Sequence, residues 1–249
     1  MSLQGYSGGS VDDAGGADTG RAADGGNVDA PSDPGRPGWC ATHAPDASFC
    51  ADFDDGRGLD AFDETYVDNA SVSVDDGASR SPPASVLAVS GPKSGGANAQ
   101  LIKLVPNAPT RATVSFDVRL ESAHPNVGAE LVHFRFAKSD GERDYTVGFG
   151  TSAGAGATYA YVYAPTPSLY EEFTPREPIP LGTWVRFVLT VDLPAKVFRI
   201  ERDDGQPPVT ETIDPPPTNA LSLEVGLAYA SEGKSGWKVR MDNVVFDGN

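Results

Sequence analysis

Along much of the chain, apolar and polar side chains alternate one by one. Val114, Phe116, Val118 and Leu120 are interleaved with Ser115, Asp117 and Arg119. Val132, Phe134 and Phe136 flank His133 and Arg135, and Val185, Phe187, Leu189 and Val191 repeat the pattern. Leu221, Leu223, Val225, Leu227 and Tyr229 repeat it again. A period of two sends successive side chains to opposite faces of a strand, so each run buries one face and offers the other to water or a ligand. Turn-formers separate the runs: Asp140-Gly141, Asp204-Gly205, Gly233 to Gly236 and the triplet Pro215-Pro216-Pro217. Helical periodicity never exceeds a turn or two. Ser168 to Phe173, bounded by Pro167 and Pro175, is expected to form one short helical turn. Many short antiparallel strands without helices predict an all-β sandwich or barrel.

The alternation is missing at the front. Residues 1–38 hold ten Gly and six Asp and almost no large apolar side chain. Such a segment cannot bury enough surface to offset the entropy of ordering it, so 1–38 reads as a disordered tether and 39–249 as one folded domain. The net charge is −16; six Asp against two Arg in the tether supply −4, which leaves −12 on the domain. An acidic surface of that size repels phosphates and anionic lipid, which excludes nucleic acid as a partner class. No run of about 20 apolar residues is present to span a membrane as a helix. A monomer is expected.

Cys40 and Cys50 are the two cysteines. Neither lies in a spacing suited to zinc, and Cys-x-x-Cys is absent. A close pair at the entrance of a domain reads as a disulfide, which places the protein in an oxidising compartment and argues for export. Two separate thiols are the alternative.

Two segments carry a family resemblance: Phe49-Cys-Ala-Asp52-Phe53-Asp54-Asp55-Gly56 and Val239-Arg-Met-Asp242-Asn243-Val244-Val245-Phe246, with Gly182-Thr-Trp184 and its following strand between them. In this order they resemble the concanavalin A-like (laminin G-like) jelly roll of lectins, glucanases and bacterial surface lipoproteins. The resemblance implies an all-β, two-sheet antiparallel jelly-roll sandwich. It implies neighbouring first and last strands, and through them a structural calcium (Ca2+) ion held by Asp52, Asp54 and Asp242. Calcium requires about six to eight hard oxygens, which carboxylates and carbonyls supply; the alternative is that these aspartates form turns and cap strand ends. The Gly/Asp-rich opening resembles the stretch after the lipidated cysteine of bacterial lipoproteins. That implies an exported protein, either a cell-surface lipoprotein or periplasmic or extracellular.

Retaining glucanases of this fold carry Glu-x-Asp-x-x-Glu. The nearest match, Glu142 to Val147, has Val147 where the second glutamate belongs, which argues against hydrolysis by a carboxylate pair. Polysaccharide lyases of the fold use His, Tyr and Arg on the concave sheet. Here His133 and Arg135 share one strand face, and Tyr159, Tyr161 and Tyr163 form a stripe on another strand. Tyrosine rings stack on sugars and arginine pairs with their polar groups, so these five residues are the candidate ligand site. Three readings stand: a non-catalytic carbohydrate-binding module of the bacterial cell surface, a structural cell-envelope domain, and a polysaccharide lyase using His, Tyr and Arg. The partner expected under the first is a polysaccharide or cell-surface glycan.

Overall fold

The computed structural model describes residues 38–249 except 55–56, 94, 139–144, 166–167, 174–175 and 231–235. The tether expected over 1–38 therefore lies, Gly38 apart, outside the described residues. The chain enters through a short helix, α1 (Trp39–His43), and strand β1 (Phe49–Ala51). Cys40 and Cys50 are joined, with their Cα atoms 5.8 Å apart, tying that helix to that strand.

There follow β2 (Glu64–Asp68), β3 (Ala70–Asp75), β4 (Ser85–Ser90), β5 (Ala97–Pro106) and β6 (Arg111–Ser122). The next group is β7 (Ala129–Lys138), β8 (Tyr145–Thr151), β9 (Ala157–Pro165), β10 (Ser168–Glu172) and β11 (Arg176–Pro178). The chain closes with β12 (Val185–Asp192), β13 (Val197–Arg202), β14 (Val209–Thr212), β15 (Thr218–Ala230) and β16 (Lys238–Gly248).

These strands form two antiparallel sheets. The first runs β14-β13-β12-β6-β16-β4-β3 with β1 also on β16, and the second runs β10-β9-β8-β7-β15-β5-β2 with β11 on β9. Phe49 pairs with Phe246 across β1 and β16, so the first and last strands are neighbours, as the resemblance implied. All four alternating runs lie inside strands, and their apolar faces meet between the sheets, except that a register shift after Val225 turns Tyr229 out to solvent, where it is 40% exposed. Val114, Phe116 and Leu120 of β6, Phe187 and Leu189 of β12, Phe134 and Phe136 of β7, and Leu223 and Leu227 of β15 are all buried. Phe116, Phe187 and Phe149 pack ring on ring at the centre, the closest pair having centroids 4.6 Å apart. Each such ring contributes the transfer energy of a large apolar surface, roughly 2–3 kcal/mol.

One expected element differs. Ser168 to Glu172 is not a helical turn but strand β10, paired residue by residue with β9 from Ser168↔Pro165 to Glu172↔Tyr161. A lone helical turn leaves its N–H and C=O groups without partners, whereas the edge of β9 supplies them.

Candidate functional site

The site is built on the outer face of the second sheet. Strand parity decides which side chains reach it. In β9, Ala160 and Val162 point into the core, so Tyr159, Tyr161 and Tyr163 point away from it. In β7 the core takes Val132, Phe134 and Phe136, leaving His133 and Arg135 outside. Register then aligns them: Tyr161 stands opposite Gly148, Gly148 opposite His133, and His133 opposite Glu224. One residue pair along, Tyr170, Tyr163, Thr146, Arg135 and Ser222 form a second row.

Gly148 and Gly150 shape this face. A Cβ on Gly148 would fall 2.1 Å from the Tyr161 ring, and one on Gly150 2.9 Å from the Tyr159 ring. With no side chains on β8 in the way, both tyrosines lie flat across it, and Tyr159 and Tyr161 are buried. Glycine in a strand interior marks such a close approach.

Lying flat carries the Tyr161 hydroxyl to β7. It donates to Glu130 Oε2 at 2.8 Å and stands 2.6 Å from His133 Nε2. His133 in turn lies 3.0 Å from Glu130 Oε2 through Nε2 and 3.1 Å from Glu224 Oε2 through Nδ1. Arg135 Nε closes the cluster on Glu224 Oε1 at 3.2 Å. Two acids, one imidazole, one guanidinium and one phenol thus satisfy each other in a nearly closed group, the arrangement that buried polar groups require.

The electrostatics follow from the geometry. Burial by itself lowers the pKa of His133, but the hydrogen bonds and charges of Glu130 and Glu224 outweigh it and raise it above 6.5. As imidazolium, the ring donates to a carboxylate from each nitrogen. Burial, and then the charge of Glu130, pushes the Tyr161 phenol well above its ordinary range. Burial raises the Tyr159 phenol as well.

Around this closed group the surface opens. Tyr163 is 44% exposed, and Tyr170, its cross-strand partner, is 55% exposed. Tyr170 stacks on Tyr161 with centroids 5.8 Å apart at 25°. The Arg135 side chain is 39% exposed beyond its ion pair. The five expected residues therefore share one face but divide by depth. His133, Tyr159 and Tyr161 lie beneath, while Arg135 and Tyr163 meet solvent.

Glu130, Glu224, Gly148, Gly150 and Tyr170 were missed from the sequence. Glu224 occupies an outward position within the run Leu221 to Leu227, and the Gly-x-Gly step sits in an otherwise apolar strand; those were the available signals. What hid the acids is distance along the chain, since 91 residues separate His133 from Glu224. Of the hydrolase-like segment, Glu142 and Asp144 lie outside the described residues, and Val147 is core.

The aspartates expected to hold calcium serve backbone donors. Asp52 accepts the N–H of Cys40 at 2.7 Å and of Asp54 at 3.2 Å, and Asp54 accepts that of Ala84 at 3.1 Å. Asp242 accepts the N–H groups of Arg80, Ser81 and Asn243 at 2.8, 3.0 and 2.8 Å. Burial, with the charge of Asp54 adding to it, raises the Asp242 carboxyl to about 7 against those donors. Among the described residues no three His, Cys, Asp or Glu side chains are grouped to hold a metal ion. Within this corner the charge of Asp54 is felt at Asp242.

No protein-family model matches the chain, and no curated protein matches it. Solved structures do. The cellulose induced protein Cip1 superimposes with a TM-score of 0.56 at 12% identity, covering 81% of this chain and 97% of that one. A carbohydrate esterase of the Shiga toxin-encoding bacteriophage phi24B gives 0.54 at 12%, over 82% and 98%. The family 7 polysaccharide lyase A1-II′, an alginate lyase, gives 0.50 at 11%, over 66% and 80%. At such identities the likeness is one of fold, and the chain has the concanavalin A-like jelly roll. The disulfide is consistent with export. No helix among the described residues is long and apolar enough to cross a membrane.

Proposed function

We propose that the outer face of the second sheet binds a polysaccharide without cleaving it, as a carbohydrate-binding module of an exported, cell-surface protein. One observation carries this reading. The exposed rings of Tyr163 and Tyr170 stand side by side on adjacent strands, in the row that contains Arg135. Flat rings with polar tips stack on sugar faces, and a half-exposed guanidinium beside them is a hydrogen-bond donor group that suits hydroxyls. The buried group beneath gives the platform a rigid base, since Tyr170 rests on a Tyr161 that is itself held at its hydroxyl. Folds of this kind also belong to proteins named for carbohydrate chemistry, among them the esterase and the alginate lyase above.

A second reading is lyase chemistry, favoured by the 2.6 Å contact of Tyr161 with His133. A lyase moves the proton beside a uronate carboxyl while the glycosidic C–O bond breaks, and such pairs act as base and acid. Two features rank it second: both side chains are buried, and the Tyr161 phenol is pushed away from the range a base needs.

The test is calorimetric titration with soluble oligosaccharides, beside an absorbance assay for unsaturated uronate product. Binding that Tyr170→Ala or Tyr163→Ala weakens, with no product formed, is expected. Product formation would establish the lyase, and binding untouched by both variants would move the site elsewhere.

A further inference from the structure

Resting on the assignment of a glycan site to this face, we propose that its ligand is an uncharged polysaccharide and that chains of uronic acids are turned away. The reason lies in which charges the register brings to the surface. On β2, Glu64 pairs with Ile102 and Asp68 with Asn98, placing both acids on the outer side while Ala99 and Leu101 fill the core. Glu224 and Glu130 hold His133, and Glu172 stands on the edge strand beside Tyr170, whose hydroxyl donates to it at 3.4 Å. Among the described residues, five carboxylates thus share the face with two cationic side chains, His133 and Arg135. Lys103 belongs to the other side, where it pairs with Asp63 and covers the Phe49 ring.

Neither cation is disposed to anchor a uronate. His133 is buried and has a carboxylate at each ring nitrogen. Arg135 is exposed, but its Nε is committed to a Glu224 side chain that is only 1% exposed. A uronate taking the whole guanidinium fork would strip a buried carboxylate of one of its two cationic partners, leaving it His133 alone, an exchange with no net gain of opposite charge. The remaining acids act at longer range. The whole chain carries −16, so a polyanion approaches against its field as well as against Glu172 and Glu64.

An uncharged sugar meets the same groups differently. Glu172 is an exposed acceptor next to two exposed rings, and a hydroxyl donates to it without repulsion. Ser222 stands opposite Arg135 and extends the polar row across β7 and β15. Selection is thus by exclusion as much as by fit: carboxylates reward hydroxyls and penalise a second carboxylate.

The experiment titrates the full chain with neutral oligosaccharides (cello-, xylo- and manno-series) and with oligogalacturonate and oligomannuronate of matched length, at low and high salt. We expect the best neutral series to bind more tightly than either uronate by more than about tenfold at low salt. Added salt should narrow the gap by screening. Glu172→Lys, on an exposed edge position, should narrow it too, by tightening the uronates while the neutral chains lose an acceptor and weaken. Uronate binding equal to or tighter than neutral binding overturns the inference while leaving the glycan site in place. Binding of neither series overturns the glycan site itself.

Discussion

Replacing Gly148 with alanine tests the architecture of the site with one methyl group. The new Cβ would stand 2.1, 2.2 and 2.3 Å from Cζ, Cε1 and Oη of Tyr161. Ordinary contact begins near 3.4 Å, so the ring must retreat by about 1.3 Å, which takes its hydroxyl off Glu130 and His133. Overpacking a closed site costs about 1–3 kcal/mol. Hydrogen bonds to charged groups are worth about 1.5–3 kcal/mol each, and part of that is lost with the hydroxyl. Alanine returns roughly 0.4–1 kcal/mol by stiffening the unfolded chain. The net expectation is a loss of about 2–4 kcal/mol, which for a domain of this size lowers Tm by roughly 5–15 °C. Urea and thermal unfolding read it directly. A double-mutant cycle isolates the cause: with Tyr161→Ala already made, Gly148→Ala should cost almost nothing, giving a coupling of about 2–4 kcal/mol. Additive costs would refute the reasoning, because the methyl would then be clashing with something other than the ring.

Three further outcomes follow from charge. The His133 contribution to stability should be fully present below its unfolded pKa of about 6.5 and should fade as pH rises through its raised folded value; urea midpoints across pH 5–9 should show the fall, and His133→Asn should flatten it. Asp242, raised to about 7, should add stability below its unfolded pKa and lose it as pH rises through about 7. Asp242→Asn should remove that slope between about pH 4 and 7 while lowering stability overall, since one of its three backbone donors then faces an amide N–H; an unchanged slope would mean that Asp242 does not titrate there. Calcium is proposed at the Asp54–Asp242 pair, where it would relieve the repulsion, so calcium at a hundredfold excess over its Kd should stabilise by about 2.7 kcal/mol. Identical melting curves in calcium and in chelator would discard the metal.

The sequence by itself determined the sheets. Alternation in residues 114–120, 132–136, 185–191 and 221–227 dictates strands with one buried face, because a period of two leaves no other way to hide those side chains together. It also placed His133 and Arg135 on one face and brought Cys40 within reach of Cys50, both local facts of spacing. Ser168 to Glu172 was misread for the converse reason: Pro and Glu near it speak of a turn, and only the edge of β9 makes it a strand. Depth was decided by tertiary structure alone. Tyr159, Tyr161 and Tyr163 are equivalent in a stripe, yet Tyr161 is buried and Tyr163 exposed, because Gly148 lies beneath the first and Thr146 beneath the second. Nor does any local pattern set Glu224 against His133. That contact depends on the register of β7 on β15, which the packing of two distant apolar runs selects only once both sheets have closed over the core.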